Sequence, residues 1–402
     1  MVHAGRRLIG QMVLGGAERR RFAVAEVLEK LDMAAGAAGM DSLILWPSHD
    51  AAIDRRVREH VRKLGLELYL WLPALADAGV DPKPGEMTED AWGDKGHGRS
   101  GAWRGLGHGD ESFLFACPRS VPQMDAALRR CREELPEYDG VFLDRIRYPS
   151  FANGLETQFT CFCRRCRRED PDWEARREKV ETLRRSLATA DAGLLRAWGD
   201  VRGLYGSVGL EWLPDARAAA IGRLVGTLSR QARDLGKKVG LDLFTPSLAP
   251  TVGQRYRELA EQCDWIKPMS YCHAKGPAGI PLELASLARG IMAWGPGLDE
   301  ADVVAFVARS FSLPGVPAGI GELENGGVDE AYAGREYAIA AGMAGCPVYP
   351  GFECVRHPDF DLDMTEDGVR RYLAALTDAP GAVLSWNILY SPEPFLRIAG
   401  KF

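Results

Sequence analysis

The stretch Tyr138-Asp139-Gly140-Val141-Phe142-Leu143-Asp144-Arg145-Ile146-Arg147-Tyr148-Pro149 passes from an unbroken apolar run into charge within one residue. Val141, Phe142 and Leu143 read as a strand buried on both faces, as strands of parallel sheets are, with Gly140 opening it and Pro149 closing the turn that follows. Asp144 then stands at the strand's carboxyl end, where parallel α/β architectures place their ligand crevice, and Arg147 and Tyr148 come directly after it. A structural ion pair between Asp144 and Arg147 is the competing reading, because such pairs are common near sites.

Working outward, the same strand-then-helix unit recurs. Apolar runs at 8–14, 42–46, 66–72, 239–244, 264–271, 348–354 and 382–387 end at Gly, Pro or a polar residue, and amphipathic helices follow at 22–31, 50–64, 121–135, 252–262 and 366–376. A further run at 316–324 is demoted to a loop or helix start, because Pro317, Gly319 and Gly321 weaken it as a strand. Eight βα units in one chain predict a single (β/α)₈ TIM barrel over residues 1–402. Two stretches break the rhythm: a rim loop insertion at 76–113 after the third strand, and a helical, cysteine-containing insertion at 150–236 after the fourth. An open doubly wound sheet is the alternative architecture. It wants a G-x-G-x-x-G turn after the first strand, and Gly15-Gly16-Ala17-Glu18-Arg19 does not have that spacing.

The balance of 50 Lys and Arg against 56 Asp and Glu leaves a net charge of −6, so no basic field invites a nucleic-acid backbone. No window approaches the roughly 18 apolar residues of a membrane span. Nine cysteines, an odd number over 402 residues, do not make a small disulfide framework and suggest a cytoplasmic protein with reduced thiols. There is no G-x-S-x-G elbow and no Walker sequence. Nothing in the sequence specifies an oligomeric state.

Three strand ends carry a resemblance. Asp139 to Asp144 with Ile146-Arg147-Tyr148-Pro149, then Lys267-Pro268-Met269-Ser270-Tyr271, then Gly381-Ala382-Val383-Leu384-Ser385-Trp386, resemble the barrel glycoside hydrolases and their uncharacterised bacterial relatives, distantly including the chitinase-like barrels. The chitinase-like pattern carries further acids on the fourth strand and ends it with a catalytic Glu. Phe142 and Ile146 stand in those places here, so the substrate-assisted amide mechanism is not supported and only Asp144 carries over. The resemblance implies a glycoside hydrolase in which Trp386 floors the central sugar subsite and Lys267 and Tyr271 bond the reacting sugar.

Glycoside cleavage needs two carboxyl groups flanking one bond, one protonated and one ionised. Asp144 on strand four is expected as nucleophile or charge stabiliser and Glu353 on the penultimate strand as acid/base, with Asp242, Glu322 and Glu324 as substitutes for the second group. A rim salt bridge with Arg356 competes for Glu353. Sugar rings pair apolar faces with hydroxyl edges, so aromatic platforms beside polar groups mark their sites. Trp46, Trp71, Tyr148, Tyr271 and Trp386 all fall at or near strand carboxyl ends, and Arg147, Asp242 and Lys267 complete a substrate-binding set. Each aromatic alone is more often packing than platform. A non-catalytic carbohydrate-binding barrel is the second reading, which predicts one carboxylate at the aromatic rim instead of two.

Thr160-Cys161-Phe162-Cys163-Arg164-Arg165-Cys166 offers three thiols in C-x-C-x-x-C spacing. Cys161, Cys163 and Cys166 suit a structural zinc that takes a fourth ligand from elsewhere, such as Cys117 or a histidine; free thiols are the equal alternative. No cofactor is expected for catalysis.

Overall fold

The computed structural model describes residues 6–16, 18–79, 81–98 and 111–402. Eight parallel strands close on themselves: β1 (Arg7–Val13), β2 (Ser42–Trp46), β3 (Glu67–Pro73), β4 (Gly140–Asp144), β5 (Lys238–Phe244), β6 (Trp265–Met269), β7 (Gly351–Glu353) and β8 (Gly381–Ser385). Each pairs with its sequence neighbour, and β8 returns to β1 with Ile9 opposite Val383. Helices flank the ring, which is a (β/α)₈ barrel. The demoted run at 316–324 lies largely in a helix, Ile320–Gly326, consistent with its glycines and Pro317.

Alternation along the strands divides the core in two. Ile9, Ile44, Tyr69, Trp71, Phe142, Trp265, Tyr349 and Val383 fill the barrel interior, while the odd-facing Leu43, Leu68, Leu70, Val141, Leu143 and Leu241 pack outward under the helices. Small residues inside the ring are compensated by large ones. A side chain at Gly240 would come within 2.4 Å of the Trp265 indole, which stacks on Phe142 at 5.3 Å, so the glycine is what admits the tryptophan.

Both departures from the barrel rhythm sit at the carboxyl ends of strands. The excursion after β3 runs to the helix Val121–Glu134; its residues 80 and 99–110, part of the 76–113 rim stretch, lie outside the described residues. After β4 come short helical turns and the helices Arg164–Glu169, Trp173–Ala188, Ala192–Trp198 and Val201–Gly206, before Leu213–Asp234 leads back to β5. The sequence pattern suggests one helix from 173 to 198. The chain instead breaks after Ala188, and Asp191 caps the next helix by accepting from the amides of Gly193 and Leu194. Among the described residues no helix is long and apolar enough to cross a membrane.

Candidate active site

A cavity of about 470 Å³ opens at the carboxyl ends of the strands, in the size range of small-ligand sites. Every barrel strand or the loop after it contributes to its lining: Val13 from β1, Trp46 from β2, Trp71 from β3, Asp144 from β4, Asp242 from β5, Met269 and Tyr271 from β6 and beyond, His357 and Asp359 after β7, and Trp386 and Asn387 after β8. Aromatic rings dominate one wall. Trp46 meets Trp71 edge-on at 5.7 Å, and Tyr271 meets Trp386 at 5.1 Å.

Asp144 faces this cavity from the last position of β4. The Trp71 indole nitrogen donates to its Oδ2 at 2.8 Å, and the backbone amide of Arg145 donates to its Oδ1. That second bond follows from the backbone. Arg145 has φ of +52°, a left-handed conformation that non-glycine residues adopt at a cost of order 1 kcal/mol or more, and the sharp turn folds its amide back on the preceding carboxylate. The Arg145 guanidinium lies 3.8 Å from Asp144 and also pairs with Asp77 and Glu111, tying the β3 excursion to the end of β4. Its pKa is raised, because these carboxylates outweigh the burial that opposes its charge.

Asp242 has the opposite environment. It is buried, and burial pushes its pKa up to about 7, with the Asp144 charge adding to the rise and Lys267 offsetting it. Lys267 is fully buried one strand over, 3.2 Å from both carboxyl oxygens, but only Oδ2 accepts with hydrogen-bond geometry. Asp242 Oδ1 has no hydrogen-bond partner among the described residues. The Lys267 ammonium also donates to the Tyr271 hydroxyl at 2.6 Å, and burial lowers the lysine pKa despite Asp242.

Glu353 is not brought to the cavity. Its carboxylate is fully buried and accepts from the amides of His273 and Ala274, each at 2.8 Å, from the Cys272 amide at 3.3 Å, and from the Tyr372 hydroxyl. It is an anchor for the loop after β6, and the rim pair with Arg356 is not formed either: Arg356 pairs with Asp363. Glu322 and Glu324 lie on the outer helix Ile320–Gly326, where Glu324 pairs with Arg289.

The remaining expected residues divide. Arg147 lines the cavity but is held between the Phe115 and Phe244 rings at 4.6 and 4.7 Å, and burial lowers its pKa to about 10. Tyr148 lines a separate recess with Cys161, Cys166 and Arg217. Lys267 lies beneath the cavity floor, touching it through Asp242 and Tyr271. Sequence reasoning missed Arg145, Asp77, Glu111 and Phe113. The Asp-Arg dipeptide was a signal for Arg145, whereas the β3 excursion has no periodicity from which its inward residues can be read. Among the described residues Cys117, Cys161, Cys163 and Cys166 form a group able to hold a metal ion, apart from the cavity lining.

This ring, with its site at the carboxyl ends, has the fold of the glycoside-hydrolase barrels. Solved structures similar to the chain include the catalytic domain of β-amylase from Paenibacillus polymyxa, with TM-score 0.50 and 10% identity over 96% of this chain and 93% of that one. A class V chitinase from Pseudomonas fluorescens Pf-5 gives TM-score 0.46 and 9% identity over 98% of each chain, and bee venom hyaluronidase gives 0.39 and 11% over 95% and 91%. At such identities the likeness is one of fold. No family model and no curated protein matches the chain.

Proposed function

We propose that the protein is a glycoside hydrolase in which Asp144 and Asp242, in place of Asp144 and Glu353, are the carboxyl pair. The observation that carries this reading is the contrast between two neighbouring acids in one aromatic-walled cavity. Asp144 accepts from the Trp71 indole and the Arg145 amide and lies 3.8 Å from the Arg145 guanidinium, whereas Asp242 is buried beside Lys267 and burial pushes its pKa up to about 7, so that a protonated fraction persists at neutral pH. A carboxylate held by fixed N–H donors suits attack or charge stabilisation, and an acid raised to about 7 by burial suits giving the leaving oxygen its proton.

The steps follow from these assignments. A pyranose or furanose ring lies on Trp386, which the buried Tyr271 backs, with Trp46 and Trp71 bounding the neighbouring subsite. Asp242 protonates the glycosidic oxygen as the C–O bond breaks, and Asp144 takes up the anomeric carbon, forming a glycosyl ester. The Asp242 carboxylate then removes a proton from water as that water displaces Asp144, which restores both acids. A soluble oligosaccharide or glycoside is the substrate class, and no cofactor enters the chemistry.

The experiment is a screen of the wild-type chain on chromogenic glycosides and soluble oligosaccharides, repeated with Asp144→Asn and Asp242→Asn. Turnover in the wild type that falls at least a thousandfold in both folded variants supports the reading. Sugar binding without turnover in any wild-type assay moves the protein to the non-catalytic carbohydrate-binding class.

A further inference from the structure

Hydrolysis leaves four converging cysteines unused. Cys117 closes the excursion after β3, a few residues before the helix Val121–Glu134, while Cys161, Cys163 and Cys166 belong to the excursion after β4. All four are buried, and their sulfur atoms lie within 4.8 Å of one another. Cys117 Sγ and Cys166 Sγ are 3.6 Å apart. A disulfide has its sulfurs at about 2.05 Å, so none is formed in this pair. Four sulfurs around a single ion at about 2.3 Å are separated by roughly 3.8 Å along each tetrahedron edge, which the observed cluster matches.

The surroundings suit thiolates. The Cys163 amide points at Cys161 Sγ at 3.5 Å, the kind of N–H support that orients a sulfur ligand. Arg119, Arg176 and Arg217 line the recess beside Cys161 and Cys166, together with Glu169 and Asp170. Arg176 donates to the Cys161 carbonyl at 2.7 Å, fixing that ligand's backbone. A divalent ion with four thiolates is net anionic, and the excess of guanidinium over carboxylate in this recess offsets it.

We propose that Cys117, Cys161, Cys163 and Cys166 form a closed tetrathiolate zinc site that clasps together the two excursions walling the cavity. As four Zn–S bonds form, the thiols release their protons to solvent and no electron is transferred. Four protein ligands leave no open position, so the ion takes no part in the hydrolysis. Its role is mechanical. Among the described residues the two excursions also meet through Phe162 N–H to the Glu89 carbonyl at 2.7 Å, Arg165 to the Arg119 carbonyl at 2.7 Å, Asn153 to the His97 carbonyl at 2.8 Å and the Arg119–Glu169 ion pair at 3.1 Å, and the metal would add a covalent tie to these. The β3 excursion also carries Asp77 and Glu111, which hold Arg145 beside Asp144.

The test is elemental analysis of the full chain expressed with zinc, followed by exchange for Co²⁺ and optical spectroscopy. About one zinc per chain is expected, and the cobalt form should show thiolate-to-metal charge transfer with the intense visible bands of a tetrahedral site. Cys117→Ser and Cys161→Ser should lose most of the metal, whereas Cys131→Ser, a buried cysteine outside the cluster, should keep it. A folded wild-type chain that contains no metal after zinc exposure would overturn the site, as would cobalt spectra without thiolate charge transfer. Retention of a full equivalent by Cys117→Ser would overturn the four-cysteine set. Should the variants fail to fold, wild-type stoichiometry and the cobalt spectrum still decide, and neither depends on hydrolytic activity.

Discussion

Asp144 and Asp242 stand one step beyond the paired Leu143 and Leu241 on adjacent parallel strands, and both line the same cavity. Equivalent positions on neighbouring parallel strands share a face, and the strands are about 4.8 Å apart, so the two carboxyl groups are set close together by the backbone itself. The covalent path through Asp144 proposed above is the retaining one, which works with about 5 Å between the carboxyl groups, against roughly 6.5 to 9.5 Å for inversion. The product is therefore expected to keep the anomeric configuration of the substrate, which NMR of the first-formed sugar reads directly. An inverted product would separate the pair.

The alkaline limb of the activity profile should belong to Asp242. A general acid must be protonated, and this one is pushed up to about 7, so kcat/KM should fall as pH rises through that region, by about tenfold per unit. Lys267 lowers the Asp242 pKa, so removing its charge in Lys267→Met should move the limb to higher pH. A limb that stays in place, or moves down, would remove Lys267 from this role.

Burying Asp242 should also be visible in stability. Its folded pKa is raised above the unfolded value, so the folded state binds more protons between about pH 4 and pH 7 and loses stability as pH rises through that window. Asp242→Asn removes the titration. Its stability relative to the wild type should grow from acid toward neutral pH, by up to a few kcal/mol, and a denaturant series at several pH values measures the difference.

Glu353 should behave as a structural carboxylate. Glu353→Gln replaces an acceptor oxygen with an N–H donor facing the amides of residues 272–274 and the Tyr372 hydroxyl, which should cost about 2–4 kcal/mol of stability. Activity per folded molecule should stay within about a few-fold of wild type. A collapse of kcat in a fully folded variant would return Glu353 to the chemistry.

Trp71→Phe keeps an aromatic wall but removes the indole N–H that bonds Asp144 at 2.8 Å. Loss of one hydrogen bond to a charged group is worth about 1.5–3 kcal/mol, so kcat/KM should drop roughly ten- to hundredfold with little change in fold. An unchanged kcat/KM would mean that Asp144 needs no such support.

The barrel was legible because its strands are short apolar runs cut off by Gly, Pro or charge, a pattern that buried parallel strands impose. Asp144, Asp242, Trp46, Trp71, Tyr271 and Trp386 could be named because they sit at or within two residues of those cut-offs, and the alternation of inward and outward residues is carried by the sequence itself. Glu353 shows where that reasoning ends. It too stands at a strand end, but β7 is only three residues long and the amides of residues 272–274 come from another loop, so no local pattern tells which neighbour captures its carboxylate. Tyr148 is turned into a different recess by the chain reversal at Arg145, a left-handed residue that carries no glycine to announce it. Cys117 lies 44 positions before Cys161 in a stretch without periodicity, and only the tertiary fold brings them together.

The most direct test is trapping. The chain would be incubated with a 2-deoxy-2-fluoro derivative of whichever glycoside it turns over, then digested, and the modified peptide sequenced by mass spectrometry. One sugar per chain, esterified to Asp144 and absent in Asp144→Asn, is the predicted result. A label on Glu353, or release of inverted product with no ester at all, would contradict the account.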